Sequence, residues 1–453
     1  MARTVLRRGL LALGIAAVSV LTAGASSGAS APAHQLPTTT RFYVPPPNPA
    51  AVTQIAGLAE AHRFRDAALL ARMVTTAQAV WFTSGTPAEV QAKVQQTVAA
   101  AARRHTVPVL VAYDVPFRDC AQYSAGGAVD TVDYAAWIDG FARGIGDHRA
   151  VVLLEPDSLG IIPFYTDING SPEWCRPTDS AGNPQPGASP AERYTALNAA
   201  VDRLEQQPDT SVYLDGTHSG WLGVGDAADR LAKAGVQRAQ GFFLNVSNYQ
   251  VTPRLQKYGT WISSCLAFAN NPADGGWRLG HYSWCASQYF PANPNDFSTW
   301  GLTDQWYADN LGTATPTDHF VVDTSRNGQG PNDMSAFGAA PYNQPADVVS
   351  RLASGSWCNP PGAGVGRQPT ADTGVPLLDA YVWAKIPGES DGSCDIAGGA
   401  RAWDYAAYNP WNLTIDAQPH FDPLWGVVDP AAGQWFPAQA LELARLADPP
   451  LWR

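Results

Sequence analysis

Residues 107–120 read VPVLVAYDVPFRDC, an aliphatic run that breaks into two aspartates, Asp114 and Asp119. A run without polar alternation is what a strand buried on both faces requires. Working outward, the same pattern recurs at 79–82 (AVWF), 151–155 (VVLLE), 212–215 (VYLD), 241–245 (GFFLN), 320–323 (FVVD) and 378–383 (LDAYVW). Between these runs lie segments with helical spacing at 87–103, 132–145, 190–206 and 226–234. Buried strands alternating with helices imply an α/β fold with a parallel sheet. So many units in succession predict a closed or nearly closed β/α barrel. An open doubly wound sheet is the alternative, but no G-x-G-x-x-G follows the early strands.

Polar groups sit where each apolar run ends. Asp114 and Asp119 follow the opening run, Glu155 and Asp157 the next (LLEPDSLG), then Asp215 and His218 (YLDGTHSGWLG) and Asn245 (LNVSNY). Asp323 and Arg326 (VVDTSRNG) come next, and Lys385, Glu389 and Asp391 (WAKIPGESDG) come last. In a β/α barrel the carboxyl ends of the strands share one face and converge on one cleft. One aspartate after one strand is usually a cap or turn residue, and Asp114 and Asp323 fit that role. Repetition at successive strands points instead to chemistry with paired carboxyl groups. Glycoside hydrolysis needs one protonated carboxyl and one ionised, and crowding carboxylates raises the pKa of one of them.

Composition narrows the classes further. The 453 residues carry 29 Lys and Arg against 40 Asp and Glu, a net charge of −11, with only 15% charged residues. That disfavours nucleic acid as a partner, which would want a basic surface, and suits an uncharged one. Sixteen Trp and sixteen Tyr supply flat rings on which a sugar face can stack. No G-x-S-x-G elbow appears, which disfavours a serine hydrolase. The N-terminus has Arg3, Arg7 and Arg8, an apolar run over 9–22, and small residues at Ala23, Ala25, Ala29 and Ala31. This reads as a secretory signal over 1–31, with a twin-arginine hint at Arg7–Arg8. The mature chain, 32–453, is expected outside the cell, free of the membrane once the signal is removed. Six cysteines in an exported chain suggest disulfides, and fifteen pairings are open to them. No C-x-x-C pair suggests a metal site. Residues 34–48 read as an extended lead-in, and no linker marks off a separate binding module.

The segments YDVPFRDC, LLEPDSLG, YLDGTHSGWLG, WCNPPG and KIPGESDG occur in this order. Together they resemble the family 6 glycoside hydrolases, inverting cellulases that include cellobiohydrolases and endoglucanases. The resemblance runs from about residue 42 to the C-terminus. It implies a distorted (β/α) barrel of about seven parallel strands in a single catalytic domain, acting as a monomer on cellulose or cello-oligosaccharides without metal or organic cofactor. By the same resemblance Asp157 is the general acid, Asp119 its neighbour that keeps it protonated and handles the water, and Asp391 the candidate base, with a water chain as the alternative. Tyr113 matches the tyrosine under the distorted sugar ring, and Ser124 the serine of a mobile loop. Asp215, His218, Trp221, Asn245, Trp357, Lys385 and Glu389 match substrate-binding positions. Cys120 is implied to pair with Cys175 and Cys358 with Cys394, which leaves Cys265 and Cys285 for each other. Phe117 departs from the polar residue the family often carries there, which implies one polar contact fewer near the cleft. Two aperiodic stretches, 165–190 and the long one between Asp391 and Trp435, lean the reading toward a covered cleft and release of cellobiose from chain ends. The alternatives are an endoglucanase on another neutral β-glucan and a non-catalytic carbohydrate-binding protein.

Overall fold

The computed structural model describes residues 36–340, 343–354, 356–394, 422 and 424–452. The expected signal, 1–31, and most of the stretch between Asp391 and Trp435 lie outside the described residues.

Seven parallel strands follow one another round the sheet in chain order. They are β1 (Val80–Phe82), β2 (Val109–Ala112), β3 (Ala150–Leu154), β4 (Thr210–Asp215), β5 (Gly241–Leu244), β6 (His319–Asp323) and β7 (Leu378–Val382). Each apolar run of the sequence is one of these strands, displaced by a residue or two at its ends. The sheet curls into a barrel that stops short of a full ladder. Where β1 faces β7, Ala79 N donates to Trp383 O at 2.9 Å and the Trp81 indole to Ala384 O at 2.7 Å. The seam thus closes on two hydrogen bonds beside the strands.

Side chains alternate across this curled sheet, as the pleat demands. Val109, Val111, Val151, Leu153, Tyr213, Phe243, Val321 and Ala380 pack together inside the barrel. Leu110, Val152, Leu154, Val212, Phe242, Leu244, Phe320 and Val322 face outward into a second cluster shared with the helices. Burial on both faces explains why the strands read as unbroken apolar runs.

The helix layer begins with α1 (Pro49–Glu60) and α2 (Phe64–Val74), then α3 (Pro87–Arg103), α4 (Thr131–Ile145), α5 (Pro190–Leu204) and α6 (Val224–Lys233). It continues with α7 (Thr252–Ala269), α8 (Gly301–Asn310), α9 (Ala346–Ser354) and α10 (Pro437–Arg445). Helix α3 starts where Thr86 and Glu89 form a reciprocal capping box ahead of Pro87. Helices α1, α2 and α10 pack with Trp383 in one further cluster. Arg445 of α10 pairs with Asp66 of α2 at 2.6 Å, and Trp435 donates to Gln54 of α1 at 2.7 Å. Helices near the two ends of the described region are thereby tied together beside the β1–β7 seam. The lead-in is extended as expected, with Phe42 in a lone parallel bridge to Val107.

Candidate active site

Loops at the carboxyl ends of the strands wall a cleft of about 780 Å³. From the loop after β2 come Tyr113, Asp119 and Ser124, and from the loop after β3 comes Asp157. The loop after β4 gives His218 and Trp221, and the loop after β7 gives Lys385, Glu389 and Asp391. Trp357 faces the same space from the chain ahead of β7. Two of the expected substrate contacts, Asp215 and Asn245, are not among the lining residues.

Asp157 stands at φ 64°, in left-handed backbone, and its side chain lines the cleft. Burial, and then the charges of Asp215, Asp119 and Asp391, push its carboxyl well above the usual carboxylate range. Asp215 lies behind it, 4% exposed. Its oxygens accept from Thr217 N at 2.9 Å and Leu159 N at 3.4 Å. Burial still raises its pKa to about 6, against those bonds. Asp215 therefore acts on Asp157 through its charge, with its own lone pairs committed to backbone. Asp119 is also left-handed, at φ 58°, and accepts from Ser124 N at 2.7 Å. Burial lifts it to about 6, with the Ser124 bond and the Arg118 charge opposing. Arg118 fixes this loop by donating to Ser124 O at 2.9 Å and Thr83 O at 2.8 Å, while its guanidinium lies 4.7 Å from the centre of the Tyr113 ring.

Asp391 has the opposite character. Burial alone would raise it, but the Arg326 and Lys385 charges outweigh burial and hold it at about 2. Arg326 donates to Asp391 Oδ2 at 2.7 Å, Lys385 Nζ lies 3.1 Å from Oδ1, and Asn359 N donates to Oδ2 at 3.0 Å. Arg326 itself is buried, sits 4.5 Å over the Tyr249 ring and also donates to Ser247 O. The sequence reading placed Arg326 at a strand end but gave it no part in the site.

Other strand-end carboxyl groups serve the backbone. Glu155 accepts from Asp114 N and Val115 N at 2.9 and 3.0 Å and so holds the loop after β2 against β3. Asp323 accepts from Ser325 N, Ala384 N, Lys385 N and Ser247 N, at 2.8 to 3.1 Å, joining three loops at one carboxylate. Asn245 donates to Asp323 O at 3.0 Å and accepts from Gln250 N at 3.0 Å, so its amide is fully used inside the wall. Asp114 lies 3.8 Å from Arg118.

The aromatic wall is built on close packing. A Cβ on Gly160 would lie 2.3 Å from the Trp221 ring, so only glycine lets that indole lie against the loop after β3. His218 packs on the same indole at 5.7 Å, and burial lowers its pKa to about 4, which keeps it neutral at pH 7. Tyr113 meets Trp81 edge-on at 5.4 Å. Phe117 does not line the cleft, and its ring lies towards Gly187. The three disulfides are Cys120–Cys175, Cys265–Cys285 and Cys358–Cys394, the pairing the resemblance implied with its remainder. The first ties the Asp119 loop to the 165–190 loop, whose Trp174 reaches the cleft. The third lies beside Tyr123 and Trp357. Among the described residues, Cys394, Asp422 and Asp429 have a spacing that could suit a cation, but Cys394 is bridged and has no thiolate to offer.

Compared with known families, residues 37–447 match the glycosyl hydrolases family 6. The chain belongs to this family. It is a glycoside hydrolase of an inverting cellulase family, and its curled seven-strand sheet is the distorted barrel of that family. It is 32% identical to Endoglucanase 1 of Streptomyces halstedii, over 83% of this chain and 90% of that protein. It is 30% identical to the 1,4-beta-D-glucan cellobiohydrolase CEL6A of Podospora anserina, over 81% of this chain and 62% of that protein. The chain spans 62–66% of the length of several other curated relatives it matches. Among solved structures, the endoglucanase Cel6 of Mycobacterium tuberculosis, in complex with a thio-linked cello-oligosaccharide, is 28% identical. It aligns with a TM-score of 0.56 over 90% of this chain and 97% of its own. In this family 6 chain, then, one cleft gathers a proton-holding carboxyl (Asp157), a poised one (Asp119) and an ion-paired one (Asp391). No helix of the described residues is long and apolar enough to cross a membrane.

Proposed function

We propose that the protein cleaves β-1,4-glucosidic bonds of cellulose and cello-oligosaccharides with inversion, as a secreted monomer with a leader at 1–31 and a catalytic domain at 32–453. The observation that carries the reading is the split among three neighbouring aspartates, one held protonated, one poised near 6 and one held ionised. Such a split assigns acid and base roles in glycoside hydrolysis. Asp157 gives its proton to the glycosidic oxygen as the bond from the anomeric carbon breaks. A water attacks that carbon from the opposite face, which inverts it without a covalent glycosyl-enzyme. Asp391 is a poor base at about 2, because Arg326 and Lys385 already hold its charge. Asp391 instead orders the wall through Arg326, Lys385 and Asn359, and Asp119 receives the proton of the attacking water through a water chain. Tyr113 lies under the distorted ring, Trp221 and Trp357 stack on sugar faces, and Ser124, His218, Lys385 and Glu389 meet hydroxyl groups. Asp215 serves by holding the Asp157 proton, and Asn245 by bracing the wall. The three bridged cysteine pairs fit an oxidising location.

Release of cellobiose from chain ends is the mode we propose. A Cβ on Gly392 would lie 2.3 Å from Tyr123, so the loop bearing Ser124 touches the loop bearing Asp391, which favours a covered cleft. Internal cutting is the second reading, favoured by the likeness to the Streptomyces endoglucanase. Proton NMR of a fresh cellohexaose digest tests the whole. An initial α-anomer supports inversion, and an initial β-anomer overturns it. Cellobiose as the dominant early product supports chain-end attack, whereas a rapid fall in viscosity of a soluble cellulose derivative would favour internal cutting.

A further inference from the structure

The residues that follow Asp157, from Ser158 to Ile161, turn their carbonyls onto two buried arginines behind the cleft. Arg230 of α6 donates to Leu159 O at 2.8 Å and Gly160 O at 3.2 Å. Arg193 of α5 donates to Ser158 O at 2.8 Å and Ile161 O at 3.0 Å. Its other terminal nitrogen donates to Pro116 O, at 2.8 Å, in the loop after β2. One guanidinium thus joins the turn that carries Asp157 to the loop that carries Asp119. The two arginines differ in how their charge is met. Arg230 is paired with Asp226 at 2.9 Å, whereas the Arg193 bonds go to neutral carbonyls. Arg193 is 2% exposed, and burial lowers its pKa to about 10 against the Glu155 charge, so it stays charged at pH 7. It also stands in the first turn of α5, the end of a helix that disfavours a cation. Burying a cation on neutral acceptors is costly, and a residue held against both costs does more than fill space.

We infer that Arg193 is a positioning residue of the reaction: it sets where the Asp157 carboxyl stands relative to the Asp119 loop, and so brings the acid within reach of the glycosidic oxygen. This rests on the glucanase reading above. A general acid works within about 2.6–3.2 Å of the atom it protonates, and a displacement of about 1 Å can cost roughly a hundredfold. Arg193 is not among the lining residues of the cleft, so it acts through the backbone on either side of Asp157 and leaves the sugar contacts in place.

The test compares Arg193→Met and Arg193→Lys with the unaltered enzyme on cellotetraose and on dinitrophenyl β-cellobioside. Dinitrophenolate leaves without taking a proton, so its release does not call on the acid. For Arg193→Met, kcat on cellotetraose should fall roughly 10- to 100-fold, with KM held within about twofold. On the aryl substrate kcat should fall by less than about threefold. Arg193→Lys keeps the charge but lacks the planar fork that spans both loops, so its ratio of the two kcat values should lie between those of the other two proteins. Assays below the Tm of each variant, with folding verified by circular dichroism, separate this effect from a loss of stability. If Arg193→Met does not fold, the ratio is read on Arg193→Lys. A ratio that does not move, whether both rates fall or neither does, overturns the inference while the glucanase reading stands. If the unaltered enzyme cleaves neither substrate, both fall.

Discussion

Arg326→Met removes a buried cation from Asp391 while keeping much of its volume. Asp391 is 9% exposed, and Arg326 is 1% exposed. Breaking one half of a buried ion pair costs about 3–5 kcal/mol, because the other charge stays buried. Lys385 remains 3.1 Å away, so the lower end, about 3 kcal/mol, is the expected loss at pH 7. In a chain of this size that corresponds to a fall in Tm of roughly 3–4 °C. The pH dependence carries the sharper claim. In the intact protein Asp391 is depressed from 3.8 to about 2. Its stabilising contribution is therefore present above the ordinary value and lost as pH falls through about 2. At roughly 1.4 kcal/mol for each pH unit, that gap is worth about 2 kcal/mol. Without Arg326, burial pushes Asp391 up, so it takes a proton at higher pH and relieves the unpaired charge. The deficit of the variant should be largest at pH 7 and shrink on acidification towards pH 4. Urea denaturation of both proteins across that range measures it. A deficit that is absent at pH 7, or that grows as the pH falls, would refute the reasoning.

Asp157→Asn keeps shape and removes the proton, so kcat should fall by about two to four orders of magnitude with cello-oligosaccharide binding retained by calorimetry. Full turnover would remove Asp157 from its role. The activity of the unaltered enzyme should fall on the acid side as Asp119 takes up a proton near its pKa of about 6, and show no alkaline fall until well above the carboxylate range, because Asp157 stays protonated. Asp215 titrates in the same region, at about 6, and Asp215→Asn separates them: the acid limb should survive this change and move with Asp119. An acid limb centred near pH 4 would count against the assignment.

The strands were legible because a barrel strand is buried on both faces, and seven apolar runs mark seven strands. Helices α3 to α6 were legible from their period; the structure adds side-chain caps at Thr86 for α3 and Ser189 for α5. Helices α1, α2 and α7 to α10 were not read. In α7, TPRLQKYGTWISSCLAFA, residues such as Ser263 and Ser264 are buried along with the apolar ones, so no clean stripe marks the helix. Strand-end carboxyl groups look alike in sequence, yet Asp157 faces the cleft while Glu155, two positions away, bonds backbone. Which way each turns depends on left-handed φ at both residues, and residue type does not reveal that. Arg326 was missed because its partner lies 65 positions on. The signal available was a lone arginine just past an apolar strand, where a buried cation implies a buried anion.

Left-handed backbone at Asp119, Glu155, Asp157 and Asn245, with φ between 55° and 70°, has a bearing on how this enzyme could be improved. Each such non-glycine residue carries about 1–3 kcal/mol of local strain. Glycine at Glu155 or Asn245 would relieve that strain but leave the amides of Asp114, Val115 and Gln250 without their side-chain acceptors, at about 1–3 kcal/mol each. The strain is offset by what these side chains hold, and a selection for heat resistance would gain little here. Useful stabilising changes lie on the far side of the barrel, where the loops return to the amino ends of the strands and nothing is asked of the backbone except to turn.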